Sequence, residues 1–434
     1  MRAPPLRRPA PATGPGGRGL RGTVALAEYG DGSPGPQGPG GEFQEVFRVR
    51  IRADRDVFAE AVAWTARALP LRPAMPVLAG MRMEAADGGL RLSGFDYEVS
   101  ARARVDAEVE EAGAVLVSGR LLAEIARSLP AHPVQVEADG GRVLLTCGPA
   151  RFTLVTLPLE DHPLLPDLPP AAGSLPGEAF AGAVRQVVPA ASRDDTLPML
   201  TGVHLDFGAE SLALAATDRY RIAVRRMWWS PEHPGAAGSA LVPARTLSDL
   251  ARTLDPSANV EVFLSGASGG AGASGGGGMI GFASGGRSST TRLIDSDFIP
   301  YEKRFPAEAA ARAEVSPAAF TEAVKRVALV ADRSTPVRIS FTPGSGGAAG
   351  EAVLEAGSGE DAQAAEVIAV DYDGEPMRIA FAPGYLLDGL AGVSTERARL
   401  DMTQPTKPAV VSDAPEAEGD EPEFRYLVMP LRLS

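Results

Sequence analysis

The stretch Phe58-Ala-Glu-Ala-Val62 decides the fold, because it recurs as Phe180-Ala-Gly-Ala-Val184 and as Phe320-Thr-Glu-Ala-Val324. The offsets are 122 and 140 residues, and the longer one contains a glycine-rich insertion. Ser316-Pro317 precedes the third copy as a helix N-cap followed by a first-turn proline, and apolar residues then fall at helical spacing. Each copy therefore predicts an amphipathic helix at the start of a repeated domain.

A second helical motif also occurs three times. Leu116-Val-Ser-Gly-Arg120 begins the first copy, Leu241-Val-Pro-Ala-Arg245 the second, and Phe381-Ala-Pro-Gly-Tyr385 the most divergent third. Three domains with two helices each account for the chain after a Gly/Pro-rich tail that we expect to be disordered. The predicted boundaries are 1–45 for the tail, 46–172 for domain I, 173–305 for domain II with its Gly-rich insertion at 266–286, and 306–434 for domain III.

Short alternating segments between the helices predict β-strands. Examples are Gly89-Leu-Arg-Leu-Ser93, Phe152-Thr-Leu-Val-Thr156 and Val337-Arg-Ile-Ser-Phe341. Two helices on antiparallel sheet in each repeat give an α+β fold. Because exposed strand edges must be paired or covered, we expect sheets to continue between domains or subunits.

The composition excludes several kinds of site. Of 434 residues, 42 are basic and 55 acidic, so the net charge is 42 − 55 = −13. Cys147 is the single cysteine and the four histidines are widely separated, so we expect no disulfide framework, no metal site and no cofactor. Residues 412–424 read as a solvated acidic loop. No apolar run reaches the ~18 residues of a membrane helix and no secretory signal is recognisable, so we expect a cytoplasmic protein without a membrane partner.

Five further segments make the sequence recognisable. They are Phe47-Arg-Val49 at the first strand, Arg72-Pro-Ala-Met-Pro-Val-Leu-Ala-Gly80, Asp194-Asp-Thr-Leu-Pro-Met-Leu-Thr-Gly202, Ala216-Thr-Asp-Arg-Tyr-Arg-Ile-Ala-Val224 and Tyr426-Leu-Val-Met-Pro-Leu-Arg-Leu433. In this order the chain resembles the bacterial DNA polymerase III β subunit family, the sliding clamps, over residues 46–434. Its arginine-rich, lysine-poor composition indicates a high-GC source such as an actinobacterium.

This resemblance implies a non-catalytic processivity factor of DNA polymerase III. Two copies would join head-to-tail into a six-domain ring that encircles duplex DNA without sequence preference. The implied partners are the polymerase III α subunit, the clamp loader and other proteins with clamp-binding motifs, such as translesion polymerases, ligase and mismatch-repair proteins. A nucleoid-associated location follows from the same resemblance.

A ring that slides on DNA needs basic helices even when the chain is acidic. The six predicted helical stretches hold 10 basic and 9 acidic residues, while the rest of the chain carries −14. Two arginine pairs, each seven residues apart, lie on single helix faces, and the resemblance places several of these positions near DNA. The candidate phosphate contacts are Arg72, Arg120, Arg127, Arg193, Arg245, Arg252, Lys325, Arg326 and Arg333.

The resemblance also implies a peptide groove between domains II and III. Its candidate residues are Leu200, Thr217, Arg219, Tyr220, Arg221, Ile222, Pro300, Arg304, Phe305, Tyr385, Pro405, Val428, Met429, Pro430, Leu431 and Arg432. Many relatives carry a polar amide where this chain has Ala382, so a polar contact to bound peptides is expected to be missing. Across the subunit contact, the resemblance implies that Phe152 and Leu154 pack against Leu329 and Val330, with an intradomain core role as the alternative for each.

Two other functions stay open at this stage. An enzyme would need an acid–base or nucleophilic set, and Asp161-His162 is the nearest candidate. A divergent clamp paralogue serving selected repair or translesion clients would be compatible with the tail, the insertion and Ala382.

Overall fold

The computed structural model describes residues 48–432 except 87, 235–237, 266–277, 332–334, 346–348, 358–361 and 415–420. The predicted tail at 1–45, most of the Gly-rich insertion, part of the acidic loop and the candidate contact Arg333 lie outside the described residues.

Six α-helices lie in the described part of the chain, two in each repeat. They are α1 (Arg55–Thr65), α2 (Gly119–Ser128), α3 (Gly177–Val187), α4 (Ala244–Ala251), α5 (Pro317–Ala328) and α6 (Pro383–Ala391). The repeated phenylalanines Phe58, Phe180 and Phe320 are each fully buried, which explains why this position recurs. Side chains cap α1 and α5, where the Asp54 carboxylate accepts from the backbone N–H of Asp56 and Val57 and the Ser316 hydroxyl from that of Ala319.

Antiparallel strands make up the rest of each domain. Domain I contains β1 (Val49–Ala53), β2 (Gly80–Ala86), β3 (Gly89–Phe95), β4 (Val99–Glu111), β5 (Gly113–Ser118), β6 (Val134–Asp139), β7 (Arg142–Cys147) and β8 (Ala150–Leu157). Domain II contains β9 (Ala171–Pro176), β10 (Gly202–Phe207), β11 (Ser211–Thr217), β12 (Arg221–Trp228), β13 (Ser230–Pro231), β14 (Gly238–Pro243), β15 (Asn259–Leu264), β16 (Met279–Ser284) and β17 (Arg287–Arg292). Domain III contains β18 (Ala311–Val315), β19 (Val337–Thr342), β20 (Gly350–Ala356), β21 (Ala364–Asp373), β22 (Met377–Phe381), β23 (Ala398–Met402), β24 (Ala409–Asp413) and β25 (Phe424–Val428). The α+β fold predicted from the sequence is confirmed.

The sheets continue across both domain junctions, as the sequence led us to expect. At the junction of domains I and II, β4 pairs antiparallel with β17, and Ala101 lies opposite Ser289. At the junction of domains II and III, β12 pairs antiparallel with β25, and Ala223 lies opposite Tyr426. Ala101 and Ala223 are 122 residues apart, the same offset as the first helix repeat, so the two junctions are equivalent.

The turn before each crossing strand is also repeated. Tyr97 (φ 75°) and Arg219 (φ 79°) are the non-glycine residues with left-handed backbone in the described chain, and they too are 122 residues apart. The carboxylates of Asp96 and Asp218 each accept two backbone N–H bonds across the turn. The same local geometry therefore presents Tyr220 at one junction and Glu98 at the other.

The hydrophobic cores divide unevenly. Domain I has its own core, whereas most buried apolar residues of domains II and III form one continuous cluster beside a smaller one around Ile222 and Leu427. Leu154 belongs to the domain I core and is only 3% exposed. This burial fits the alternative given for Leu154, an intradomain core role, because its side chain packs within its own domain.

Candidate functional site

At the predicted groove between domains II and III, the rings of two tyrosines lie close together. Tyr220, at the β11–β12 turn, is 57% exposed, and its ring lies 6.3 Å from that of Tyr385 at the start of α6. The chain following β25 runs beside them, because the Met429 N–H donates to the Tyr220 carbonyl at 2.8 Å. Leu431 is held in the same way by the Ala380 carbonyl at 2.8 Å. Met429 and Leu431, 37% and 40% exposed, therefore join the tyrosines in one apolar surface.

Arg221 links the β11–β12 turn to α6 beneath this apolar surface. Its side chain is largely buried, its Nε donates to the Asp218 carboxylate at 2.8 Å, and its guanidinium also bonds Asp388 on α6. The guanidinium carbon lies 4.4 Å from the centre of the Tyr385 ring. Burial alone would lower the pKa of Arg221, but Tyr426, Asp388 and Asp218 outweigh it and raise that pKa, so the charge is permanent.

The β11–β12 turn is rigid because its polar groups are paired internally. The Thr217 hydroxyl donates to the Arg221 carbonyl at 2.7 Å and accepts from the Arg219 N–H at 3.1 Å. Asp218 accepts from the N–H groups of Tyr220 and Arg221 at 3.0 and 3.1 Å. The exposed Tyr220 ring is thus carried on a turn with little freedom, which lowers the entropy cost of binding a ligand there.

Several predicted groove residues form its floor instead of its surface. Leu200, Thr217, Ile222 and Val428 are between 0% and 6% exposed, so a peptide can touch little of them. Phe305 packs with Ile222 in a small apolar cluster, and the Arg425 guanidinium lies 4.6 Å from its ring centre. These positions shape the groove through packing.

Other predicted groove residues lie at the exposed periphery. Pro300, Arg304, Pro405 and Arg432 are exposed, and Arg219 is an exposed turn residue. In the described chain no hydrogen bond or ion pair joins the Arg304, Arg219 or Arg432 side chain to the tyrosine pair. The structure therefore brings Tyr220, Arg221, Tyr385, Met429 and Leu431 together and leaves the remaining members around them.

Sequence reasoning missed two residues of this site. Asp388 lies one helical turn after Tyr385, so its spacing could have placed both on one helix face. Tyr426 was part of the terminal segment, but its buried ring and its hydroxyl bond to the Tyr385 carbonyl at 2.9 Å could not be read from the strand pattern.

The basic candidates on the helices are mostly available to an anionic partner. Arg120, Arg127, Arg245 and Arg252 are all exposed. Arg120 and Arg127 bond backbone carbonyls at 3.0 and 3.2 Å, which orients them without neutralising them. Arg72 and Arg193 are also exposed, in the loops that follow α1 and α3.

Three of the basic candidates are engaged by carboxylates. Arg252 pairs with Asp249 at 3.0 Å, and Lys325 pairs with Glu322 at 2.9 Å. Arg326 makes a two-point contact with Glu366 on β21, with N–O distances of 2.9 and 2.5 Å. Arg326 is thus tied to the domain III sheet, whereas the first two are exposed pairs that a phosphate could displace.

The remaining acid–base candidate is a poor one. Asp161 is exposed and His162 is buried, and neither ring nitrogen of His162 has a hydrogen-bond partner within the described residues. Burial, with a smaller effect of Arg82, lowers the pKa of His162. The pair therefore lacks the polar connections that an acid–base site would require.

Among the described residues, no helix has the length and apolarity to span a membrane.

Comparison with known proteins gives one consistent result. Three family models match in order: the DNA polymerase III beta subunit N-terminal domain at residues 49–166, the central domain at 174–300 and the C-terminal domain at 302–432. The beta sliding clamp of Streptomyces coelicolor is 52% identical over 388 residues, covering 89% of this chain and 100% of the relative. A beta sliding clamp homolog, GriR, of Streptomyces muensis is 42% identical with the same coverage. The Pseudomonas aeruginosa sliding clamp, solved bound to griselimycin, superposes with a TM-score of 0.78 at 25% identity, covering 89% of this chain and 100% of that one.

Proposed function

Because the chain belongs to the bacterial DNA polymerase III beta subunit family and is a DNA sliding clamp, we propose that two copies close head-to-tail into a ring around duplex DNA. We also propose that the tyrosine-centred groove of each copy holds linear peptides from the polymerase III α subunit, the clamp loader and other clients. The protein then acts by tethering these partners in the cytoplasm, on the nucleoid, and contributes no catalytic step of its own.

The pattern of strand pairing supports the ring. Within one chain, β4 pairs with β17 and β12 pairs with β25, and each pairing joins equivalent edges of successive domains. One pair of such edges is left over in the described residues. The β21 segment Ala364–Val370 pairs with β20 alone, and the β8 segment Ala150–Val155 pairs with β7 alone. Joining β21 of one copy to β8 of a second repeats the same junction and covers both edges.

Side chains at these edges fit the same junction. Phe152 lies two residues after Ala150, the first paired residue of β8, and Ser289 lies two residues after Arg287, the first paired residue of β17. The two residues therefore occupy equivalent positions on their strands. Leu329 and Val330 follow Phe320 by the same number of residues as Arg67 and Ala68 follow Phe58. Since Arg67 and Ala68 border the junction of domains I and II, we place Leu329 and Val330 at the subunit junction, where the 84% exposure of Leu329 would be removed.

The exposed helix arginines support the DNA path. Those on α2 and α4 recur at equivalent positions in domains I and II, so phosphate contacts in these two domains would be equivalent. Contacts of this kind hold DNA through charge and permit sliding.

The tyrosine-centred groove supports the client sites. Tyr220 lies on a tightly hydrogen-bonded turn, Tyr385 lies at the start of α6, and Arg221 beside the Tyr385 ring supplies a fixed positive charge. An apolar surface with a few polar anchors is the usual form of a peptide-recognition groove.

Two measurements test this function. The mass in solution should be twice 45.0 kDa, and a stable monomer would contradict ring closure. With its clamp loader and polymerase, the protein should extend the length of DNA synthesised per binding event on primed circular templates. Tyr220→Ala should abolish this stimulation while the dimer mass stays unchanged.

A clamp paralogue with restricted clients is the second candidate, and Ala382 is the observation that favours it. Ala382 lies between Phe381 of β22 and the first residue of α6, three residues before Tyr385, so a side-chain amide is missing beside the groove. Failure to stimulate the replicative polymerase, with intact binding of client peptides and an intact dimer, would select this function.

A further inference from the structure

A cavity of about 350 Å³ lies at the junction of domains I and II, away from the tyrosine-centred groove. The segment after α1 lines one side, and α4 lines the other. The Trp64 indole N–H donates to the Thr253 hydroxyl at 3.0 Å and ties the two sides together. Apolar side chains including Leu69, Val99 and Leu250 line it, and its volume is in the range of ligand sites, ~300–1,000 Å³.

The equivalent space at the junction of domains II and III is filled. There Ala223 lies opposite Tyr426, whose ring is buried beneath α6, and Arg221 lies beside it. At the first junction the repeat offset of 122 residues gives Ala101 and Val99 for Ala223 and Arg221, and the strand register gives Ser289, opposite Ala101, for Tyr426. A tyrosine ring and a guanidinium are thus replaced by a hydroxymethyl and an isopropyl group, and the cavity is the room that this leaves.

The charge at the cavity favours an anion. Arg67, Arg72 and Arg245 border it, and none of them forms an ion pair in the described part of the chain. The two bordering carboxylates are already engaged, since Asp96 accepts from backbone N–H groups at 3.0 and 2.7 Å and Asp249 pairs with Arg252 at 3.0 Å. Three guanidinium groups therefore remain for a bound carboxylate or phosphate.

We propose that this cavity binds a small aromatic anion, an aryl carboxylate or aryl phosphate. Its ring takes the position that Tyr426 holds at the second junction, and its anionic group faces Arg67, Arg72 and Arg245. The site lies within a single subunit, so it exists whether or not the ring closes. A ligand there bridges two domains and stabilises their junction, because it binds only the folded arrangement.

The test measures binding of the anion 4-hydroxyphenylacetate to the full-length protein by saturation-transfer NMR. Binding of p-cresol, which has a similar ring but no charge, is measured in the same way for comparison. The anion should bind about tenfold more tightly than p-cresol, as expected for one charge-assisted hydrogen bond. Arg67→Gln should remove that advantage and leave p-cresol unaffected. Arg142→Gln, at an exposed arginine on β7 that also forms no ion pair in the described residues, is the matched control and should bind like the native protein.

A variant whose cavity is filled by a larger side chain tests whether the probes bind inside the cavity. Asp249 stands where the second junction has Gly389, at which a Cβ would come within 2.6 Å of Tyr426. Ser289→Tyr combined with Asp249→Gly therefore copies the filled junction and should abolish binding of both probes. Absence of binding to the native protein, or equal binding by the Arg67→Gln and native proteins, would overturn the proposal. The Arg67→Gln comparison decides the question even if the filling variant does not fold.

Discussion

Ala382 occupies the N-cap of α6 and offers no side-chain acceptor to the first turn. Ser316 performs that function for α5, and Asp54 for α1. Ala382 thus affects both peptide binding and helix stability. It leaves the groove without a side-chain amide, and it leaves α6, which carries Tyr385 and Asp388, without a side-chain cap.

Ala382→Asn should raise the free energy of unfolding by about 1 kcal/mol, because an asparagine side chain can accept from a first-turn N–H. Urea denaturation measures the change. Ala382→Val, which adds volume without an acceptor, is the control and should give no gain. An unchanged midpoint for the asparagine variant would show that the cap position is already satisfied.

His162 makes stability depend on pH. Burial lowers its folded-state pKa below the unfolded value of 6.5, so the unfolded chain binds the proton more readily. The contribution of the neutral His162 ring to the free energy of unfolding is therefore fully present above about pH 6.5. It is lost as the pH falls toward the pKa of His162 in the folded protein. His204 shares the direction, because its ring is also desolvated.

His162→Leu should reduce the loss of stability between pH 7 and pH 5, since it removes a buried imidazole with no polar partner in the described residues. Thermal unfolding at the two pH values measures the difference. His132→Leu, at an exposed histidine, is the control and should retain the native pH dependence. An identical pH dependence in the His162 variant and the native protein would assign the acid sensitivity to other groups.

At the scale of elements, the positions of helices and strands could be predicted from the sequence. Which strands pair with each other across the domain junctions could not. Apolar spacing around Phe58, Phe180 and Phe320 placed three helices, because a buried helix face leaves a local pattern. The pairing of Ala223 with Tyr426 joins residues 203 positions apart, and no local pattern encodes it. The same limit applies to Leu154, since alternation marked it as inward-facing but did not show which domain's interior it faces.

Leu329→Glu should convert the dimer to monomer, because it places a charge in the contact proposed between the end of α5 and the partner's domain I. Light scattering after size exclusion measures the mass over a range of concentrations. Leu164→Glu is a matched control, since Leu164 is also 84% exposed but lies in the segment between β8 and β9. Dimers of the Leu329 variant as stable as those of the control would remove this residue from the junction.

At the scale of the molecule, the charge distribution is compatible with the DNA path proposed above. The net charge of −13 belongs to the whole chain, while exposed arginines recur on α2 of domain I and α4 of domain II. Weak, repeated attraction of this kind depends on salt and ignores base sequence.

The double variant Arg120→Ala and Arg245→Ala should shorten the lifetime of loaded clamps on circular DNA and flatten its dependence on salt, since two phosphate contacts per subunit are lost. Release of labelled clamps at several salt concentrations measures both effects. Arg312→Ala with Arg378→Ala removes two exposed arginines from domain III strands and serves as the control. Equal salt slopes for the two double variants would place the DNA path elsewhere.

The division of the cores predicts where this molecule would deform under load. Domains II and III share a large apolar cluster, and the strands that join them carry the apolar residues Ile222, Ala223 and Leu427. In contrast, β17, which joins domain II to domain I, reads Arg287-Ser-Ser-Thr-Thr-Arg292. Hydrogen bonds between polar strands tolerate small displacements, while a close-packed interior resists them. When a ring of such subunits is pulled open, domains II and III should move as one stiff lever, with the deformation concentrated at the β4–β17 hinge beside Trp64.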